Sequence, residues 1–186
     1  RATTLYFLEE GIAFTPELKV DAEVENALKH IHIDFHVNAN AKITETFLNG
    51  KSVEAKIRGL EVAAHVSTVS AIKQVRTHMV ALQQKMGQHK AIVMDGRDIG
   101  TVVFPLAELK LFMTASPEVR TQRRYDELIA KGVQTTPEEV RENLSKRDHD
   151  DTHRQESPLI QAPDAVVIDN SNITQQEQLL LVLVVF

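Results

Sequence analysis

The sequence contains no cysteine. That excludes a disulfide framework and any thiolate metal site, and it fits a reducing cytoplasm. Positive charge is not in excess either: the net charge is −5. A general nucleic-acid binder needs a basic face against the phosphate backbone, so nucleic acid is not an expected partner. No apolar run is long enough to cross a bilayer. The last eight residues, LLLVLVVF, are wholly apolar but far too short, and are expected to form a buried terminal helix or strand. The opening RATTLYFLEE has no long apolar core and an early acidic pair, so it does not read as a signal peptide, and no membrane partner is expected. There is no G-x-S-x-G elbow, hence no context for a Ser/His/Asp hydrolase. No internal repeat or low-complexity segment is visible. What remains is an ordinary globular mix, 42% hydrophobic and 25% charged over 186 residues, enough for one compact domain with a small insert.

The pattern changes along the chain. Thr15 as N-cap with Pro16 at the first helical position predicts a helix over 16–30. HIHIDFHV then alternates strictly, with Ile31, Ile33, Phe35 and Val37 on one face and His30, His32, Asp34 and His36 on the other, the signature of a half-buried strand. KITETFL and KSVEAKI flank Asn49-Gly50 and read as a hairpin. Residues 31–57 are therefore expected to make a small antiparallel sheet. Two helices follow, the second with Val75, Met79, Leu82 and Met86 at helical spacing and Gly87 at its end. From there strands and helices alternate: AIVM at 91–94, LKLFMTA, a helix opened by Ser116-Pro117 and closed by Gly132, and a long helix opened by the capping box Thr136-Pro137-Glu138-Glu139. DAVVID is the last strand. Buried strands separated by helices predict an α/β fold with a parallel sheet.

Chemistry concentrates in three places. In MDGRD, Asp95, Arg97 and Asp98 follow the expected strand AIVM. Ligands of open parallel sheets bind beyond the carboxyl ends of strands; an acid there suits magnesium, and an arginine can hold a phosphate through two bonds. In RTQRRYDEL, Arg120, Arg123 and Arg124 share a helix face. The cluster is read as lacking neutralisation within its helix, a cationic face suited to polyphosphate. In SKRDHDDTHRQESPL, Arg147, Asp151 and Arg154 form a stripe of alternating sign, and a carboxylate between two arginines can accept from a sugar hydroxyl. Each has a plainer reading taken alone: a charged surface turn, a solvated helix face, a surface ion-pair ladder. Together they favour a phosphorylated ligand. Two other patterns carry less. Gly50-Lys51-Ser52 has the tail of a phosphate-loop motif, but position 45 is Glu45 and the context is a hairpin. The histidines at 30, 32 and 36 with Asp34 are read as solvent-facing rather than as a metal site.

The runs GRDIGTVVFP, LKLFMTASPEVRTQRRYDEL, KRDHDDTHRQESPL and DAVVIDNSNIT, in that order, resemble bacterial cytidylate kinases, a family of nucleoside-monophosphate kinases. LNGKSVEAKIRGLEVAAHVSTVSAIKQVR is similar to that family's nucleotide-binding insert and the helices after it. The resemblance implies transfer of a phosphoryl group from ATP, with Mg2+, to CMP or dCMP, by a cytoplasmic protein expected to be a monomer. It implies a phosphate-loop kinase core over 1–30 and 58–186, a helical lid at about 120–136, and the small antiparallel insert at 31–57. It also implies roles. Asp98 and Arg76 would read the cytosine edge. Arg97, helped by Arg1, would hold the acceptor phosphate. Ser67, Arg147, Asp151 and Arg154 would surround the ribose. Asp95 would face magnesium through water, and Arg120, Arg123 and Arg124 would belong to the lid. Family members begin with a strand, a glycine-rich phosphate loop and its helix, whereas Arg1 matches an arginine beyond them. The expectation is therefore an incomplete core whose first strands are missing, and a longer intact protein; a chain of these residues alone is expected to be inactive and marginally stable. Asp150, between Asp148 and Asp151, departs from the family's pattern. Two alternatives remain: a kinase for another acceptor such as UMP, and a non-catalytic nucleotide-binding fragment.

Overall fold

Helix α1 (Ala2–Glu9) turns Ala2, Leu5 and Phe7 inward, and Phe7 is fully buried. Burying such a side chain stabilises by roughly 1.5–3 kcal/mol. The computed structural model describes residues 1–14, 22–38 and 43–185. The chain divides into two units, Arg1–Ala91 and Ile92–Phe186.

In the first unit, α2 (Ala22–Lys29) buries Val24, Ala27 and Leu28, a spacing that keeps them on one helical face. The Thr15 cap and Pro16 lie outside the described residues. β1 (Ile33–Asn38) pairs antiparallel with β2 (Ile43–Leu48), Ile33 opposite Leu48. β3 (Lys51–Ser52) continues the sheet. The Asn49-Gly50 turn is present, with φ of 49° and 77°, the left-handed pair that a two-residue hairpin requires. Gly50 in this turn also disposes of the phosphate-loop reading. The segment after the turn differs from expectation. Only two residues are strand; Glu54–Ile57 forms a short helix, α3. Glu54 turns back to accept from the backbone N–H and the hydroxyl of Thr46 at 3.1 and 2.9 Å, so the chain curls instead of extending the ladder. The apolar face of β1 is buried only at its start. Ile31 and Ile33 join the core, but Phe35 and Val37 are exposed, because the helical layer covers only the near end of the hairpin.

α4 (Leu60–Ala71) and α5 (Lys73–Met86) pack together and against α1 and α2 respectively. Val62, Val69 and Val75 are their buried contacts, and Met79 and Leu82 pack around them as the helical spacing predicts. Gly87 opens a 3-10 turn, Gly87–His89, and keeps a right-handed φ of −81°.

The second unit, from Ile92 onward, departs from expectation at its start. Ala91–Met94 is not a strand. Val93 is fully exposed and Ile92 largely so. A strand exists through its ladder, and among the described residues no strand ladder includes this segment: β4 (Leu111–Thr114) and β5 (Val166–Asp169) pair with each other in parallel. The parallel pair makes this an α/β unit. α6 (Pro117–Ala130) is capped by Ser116, whose hydroxyl accepts from Val119 N–H. It closes at Gly132, φ +74°, with Val133 N–H reaching Leu128 O, the left-handed stop only glycine adopts freely. α7 (Pro137–His153) opens with the complete reciprocal box: Glu139 N–H donates to Thr136 Oγ1, and Thr136 N–H to Glu139 Oε2. α8 (Gln175–Val185) is a helix as expected, but it is not buried. Leu179, Leu180, Leu183 and Val184 are all exposed; residues 179–185 are apolar on every side of the helix, more than one packing neighbour could cover.

The capping box and the helix-face pairs make stability acid-sensitive. The Thr136 N–H, then the Thr135 hydroxyl, hold Glu139 below its ordinary carboxyl value of 4.5. Lys131, then Arg124, do the same for Glu127. A depressed folded value stabilises fully above the unfolded value and loses that contribution as pH falls through the folded one. The melting temperature is therefore expected to hold from neutral pH down to about 5 and to fall below about 4.5. Thr136→Ala should lower stability by about 1 kcal/mol but keep most of the acid slope, since the backbone N–H that holds Glu139 remains; Glu139→Gln should flatten it, read by thermal melts at several pH values.

Candidate functional site

The second unit gathers distant charges around Asp151. This residue lies in the last turn of α7 and is 6% exposed. Arg97 Nε donates to its Oδ2 at 2.7 Å, bridging 54 positions of sequence. Arg154 comes within 3.6 Å of Oδ1, and Arg147 within 3.9 Å of Oδ2. Arg154 also lies 3.9 Å from Asp98, itself 6% exposed. Only the 2.7 Å contact is a hydrogen bond by distance; the longer ones are charge proximity. Within these five side chains the guanidinium groups outnumber the carboxylates by one. The side chains of Arg97 and Arg147 are about 40% exposed and that of Arg154 only 10%. Arg97 and Arg147 can thus meet a ligand, while Arg154 braces the two acids from inside. The burial of Asp151 and Arg154 sets this stripe apart from a surface ladder, while Arg147 keeps an exposed side.

Local sequence explains the convergence. The carbonyl of Asp98 accepts from Val102 and Val103 N–H at 2.9 and 3.2 Å, closing a single π-helical turn, Ile99–Val103. Val103, 1% exposed, pins that turn, so Arg97 and Asp98 sit on a fixed support. A Cβ at Gly96 would come within 2.8 Å of the Ile99 side chain, which makes glycine the fitting residue beside Arg97. At the other end, Arg154 leaves the helix with extended backbone and donates through Nε to Ser157 O at 2.7 Å. Ser157 occupies the left-handed region at φ 51°, and the chain folds back until Leu159 N–H reaches Asp151 O at 2.7 Å. The R-D-x-x-D-x-x-R-x-x-S-P-L spacing is thus a helix end that closes on its own acid.

The remaining residues of the sequence reading lie apart from this cluster or in the first unit. Asp95 is exposed, and among the described residues no three His, Cys, Asp or Glu side chains converge on a metal position. Magnesium keeps most of its waters and travels with substrate phosphates, so a lone carboxylate fits a water-mediated contact and nothing tighter. Among the described residues no glycine-rich turn leads from a strand into a helix, the arrangement that cradles a triphosphate. Arg120, Arg123 and Arg124 share a helix but do not act as one free cationic face. Arg120 grips Asp148 through two bonds of 2.6 and 2.9 Å, which raises its proton affinity further. Arg123 donates to the side chain and carbonyl of Asn170. Arg124 pairs with Glu127 at 2.7 Å. The expectation of an unneutralised face fails because Glu127 stands one turn on and Asp148 arrives from α7. Asp148 and Asn170 are the residues sequence reasoning missed; their separations of 28 and 47 positions leave no local signal.

In the first unit, Arg1 Nη1 donates to Ile57 O at 2.8 Å, and Arg76 Nη1 lies 3.4 Å from Ser70 O. Both line one cavity of about 80 Å³ with Thr3, Ser70 and Met79. Ser67 does not line it; it is half-buried on α4, where its carbonyl accepts from the Ser70 hydroxyl.

An α/β unit with paired parallel strands, carrying exposed guanidinium groups braced by buried acids, is equipped to bind a ligand that bears both phosphate and hydroxyl groups. Comparison with known proteins narrows that class. The family model for cytidylate kinase matches residues 1–184. The chain is 55% identical over 178 residues to a cytidylate kinase of Parabacteroides distasonis, covering 96% of this chain and 77% of that protein. It is 53% identical to one of Bacteroides fragilis with the same coverage. It is also 53% identical to one of Flavobacterium johnsoniae over 98% of this chain and 79% of that protein. The chain belongs to the cytidylate kinase family. Among the described residues no helix is long and apolar enough to cross a membrane.

Proposed function

We propose that this protein phosphorylates CMP or dCMP at the expense of ATP, and that the Asp151 cluster is the acceptor side of its site. The observation that carries the reading is the convergence of Arg97, Arg147 and Arg154 on one buried carboxylate in a chain of this family. Phosphoryl transfer asks little covalent chemistry of the protein; it asks for alignment and dispersed positive charge. Arg97 would hold the acceptor phosphate, with Arg1 assisting. Arg147 and Asp151 would take the ribose hydroxyls, with Ser67 and with Arg154 as brace. Asp98 would accept from the exocyclic amine of cytosine, with Arg76 on the same base edge. ATP, when bound, supplies the phosphoryl group, and Mg2+ beside Asp95 would neutralise phosphate charge. Arg120, Arg123 and Arg124 are assigned to a lid at about 120–136 by the family likeness. The division into a core over 1–30 and 58–186 with an insert at 31–57 rests on the same likeness, as does a cytoplasmic monomer.

Calorimetric titration with CMP and UMP tests this, followed by an ADP-release assay with ATP, Mg2+ and each acceptor. CMP should bind and be the preferred acceptor. Asp98→Ala should weaken CMP binding about tenfold or more, as expected for a lost charged hydrogen bond, while changing UMP binding little. Asp98→Asn, which keeps the shape, should narrow the same preference. Equal binding of CMP and UMP, or no loss in either variant, would overturn the assignment.

A further inference from the structure

Lys110 carries a charge that the acceptor cluster does not use. Its side chain is only 8% exposed, and a lysine is seldom so buried unless its charge is paired. Its Nζ donates to Pro105 O at 2.6 Å and to the two carboxylate oxygens of Asp164 at 2.9 and 2.7 Å. That bond to Lys110 is the largest cause holding Asp164 below its ordinary carboxyl value of 3.8. The two partners belong to different stretches of chain. Pro105 lies two residues beyond the Ile99–Val103 turn that supports Arg97 and Asp98. Asp164 lies on the stretch that leaves α7 and closes on Asp151 through Leu159 N–H. Lys110 is itself fixed to the sheet: its carbonyl accepts from Val166 N–H at 2.9 Å, where the β4–β5 ladder begins. Its stem runs along the turn. A Cβ on Gly100 would stand 3.4 Å from Lys110 Cδ and 3.8 Å from the Cβ of Ala162, which is buried.

We propose that Lys110 is a positioning residue of the acceptor site: its ammonium joins the stretch carrying Arg97 and Asp98 to the stretch that closes on Asp151, and so sets the spacing between the two halves of the cluster. The inference deepens the acceptor reading given above and rests on it for the identity of the ligand. Pro105 O and the Asp164 carboxylate are both acceptors, and the ammonium is the donor they share. Without it nothing draws them together, and each is better served by water. The turn and the Asp151 closure then keep their own hydrogen bonds but lose this link to one another.

The test compares Lys110→Met, Lys110→Arg, Asp164→Ala and Thr174→Ala in the full chain. Methionine keeps most of the stem and removes the donor. Thr174 opens α8, its hydroxyl accepting from Glu177 N–H at 3.2 Å, so its loss destabilises a helix cap outside the cluster. The first readout needs no ligand. The Nε–H resonance of Arg97, identified by its absence in Arg97→Lys, reports the 2.7 Å bond to Asp151. It should move in Lys110→Met, move the same way but less in Asp164→Ala, return toward its original place in Lys110→Arg, and stay fixed in Thr174→Ala. The second readout is calorimetry. Lys110→Met should weaken CMP and cytidine alike, by about tenfold, because Arg97 and Asp98 shift together; Arg97→Ala should spare cytidine. An unmoved Arg97 resonance in Lys110→Met, or an equal movement in Thr174→Ala, overturns the proposal, as does unchanged CMP affinity in Lys110→Met. If Lys110→Met does not fold, Asp164→Ala decides, since that carboxylate is exposed. A resonance that moves as expected in a chain that binds no CMP overturns the acceptor reading instead and upholds the link made by Lys110.

Discussion

Arg97→Ala is expected to weaken CMP binding by about 10- to 100-fold, the effect of losing a charge-assisted contact of roughly 1.5–3 kcal/mol. It is expected to do so with little loss of stability. Arg97 donates to Asp151 at 2.7 Å from 54 positions away, yet its own side chain is 41% exposed. Removing it leaves Arg154 and Arg147 still within 3.6 and 3.9 Å of the acid. Asp151 keeps positive neighbours, and the vacated volume opens to water. The loss should therefore appear in the affinity for CMP and hardly in that for cytidine, which has no phosphate. Arg97→Lys should recover part of it, since an ammonium restores the charge but not the planar fork. Calorimetry with CMP and cytidine, alongside thermal melts, separates these quantities. Equal losses for both ligands would place Arg97 away from the phosphate.

Asp151→Ala should be more damaging to the fold. The carboxylate is 6% exposed and lies between Arg97, Arg147 and Arg154. Breaking a fully buried ion pair costs about 3–5 kcal/mol, but Arg97 and Arg147 are about 40% exposed and can turn to solvent. The residual penalty falls on Arg154, whose side chain is 10% exposed and which keeps Ser157 O and Asp98 as neighbours. A loss of about 2 kcal/mol follows from that discount. Asp151→Asn retains an acceptor of the same shape, so it should lose less stability than alanine while still weakening CMP binding about tenfold. Denaturant melts and titrations on both variants check the order. Asparagine as destabilising as alanine would mean that the charge, rather than the filled volume and hydrogen bond, holds the cluster together.

The features legible in the sequence are those with local causes. Ser116-Pro117, the Thr136–Glu139 box, Gly132 and Asn49-Gly50 each act within a few residues, and each appears where its spacing places it. The stripe of Arg147, Asp151 and Arg154 was visible for the same reason, as helical periodicity. What spacing could not show is that the stripe faces inward and that Arg97 meets it from 54 positions away; the family likeness carried that. Ala91–Met94 failed because apolar composition marks a willingness to be strand, whereas a strand needs a ladder partner. KSVEAKI keeps the ladder only at Lys51 and Ser52, because Glu54 turns back onto Thr46. The free cationic face on α6 fails partly for a reason within the helix, Glu127 one turn beyond Arg124, and partly because Asp148 and Asn170 arrive from elsewhere in the chain. α8 misled through composition: an apolar helix looks like core whether or not anything covers it.

The central claim is that the Asp151 cluster receives the acceptor nucleotide. A crystal structure of the chain with CMP tests it most directly. The account predicts phosphate oxygens within hydrogen-bond reach of the Arg97 guanidinium and a ribose hydroxyl donating to Asp151. CMP bound elsewhere, with Arg97 still on Asp151 and no contact to either, would contradict it.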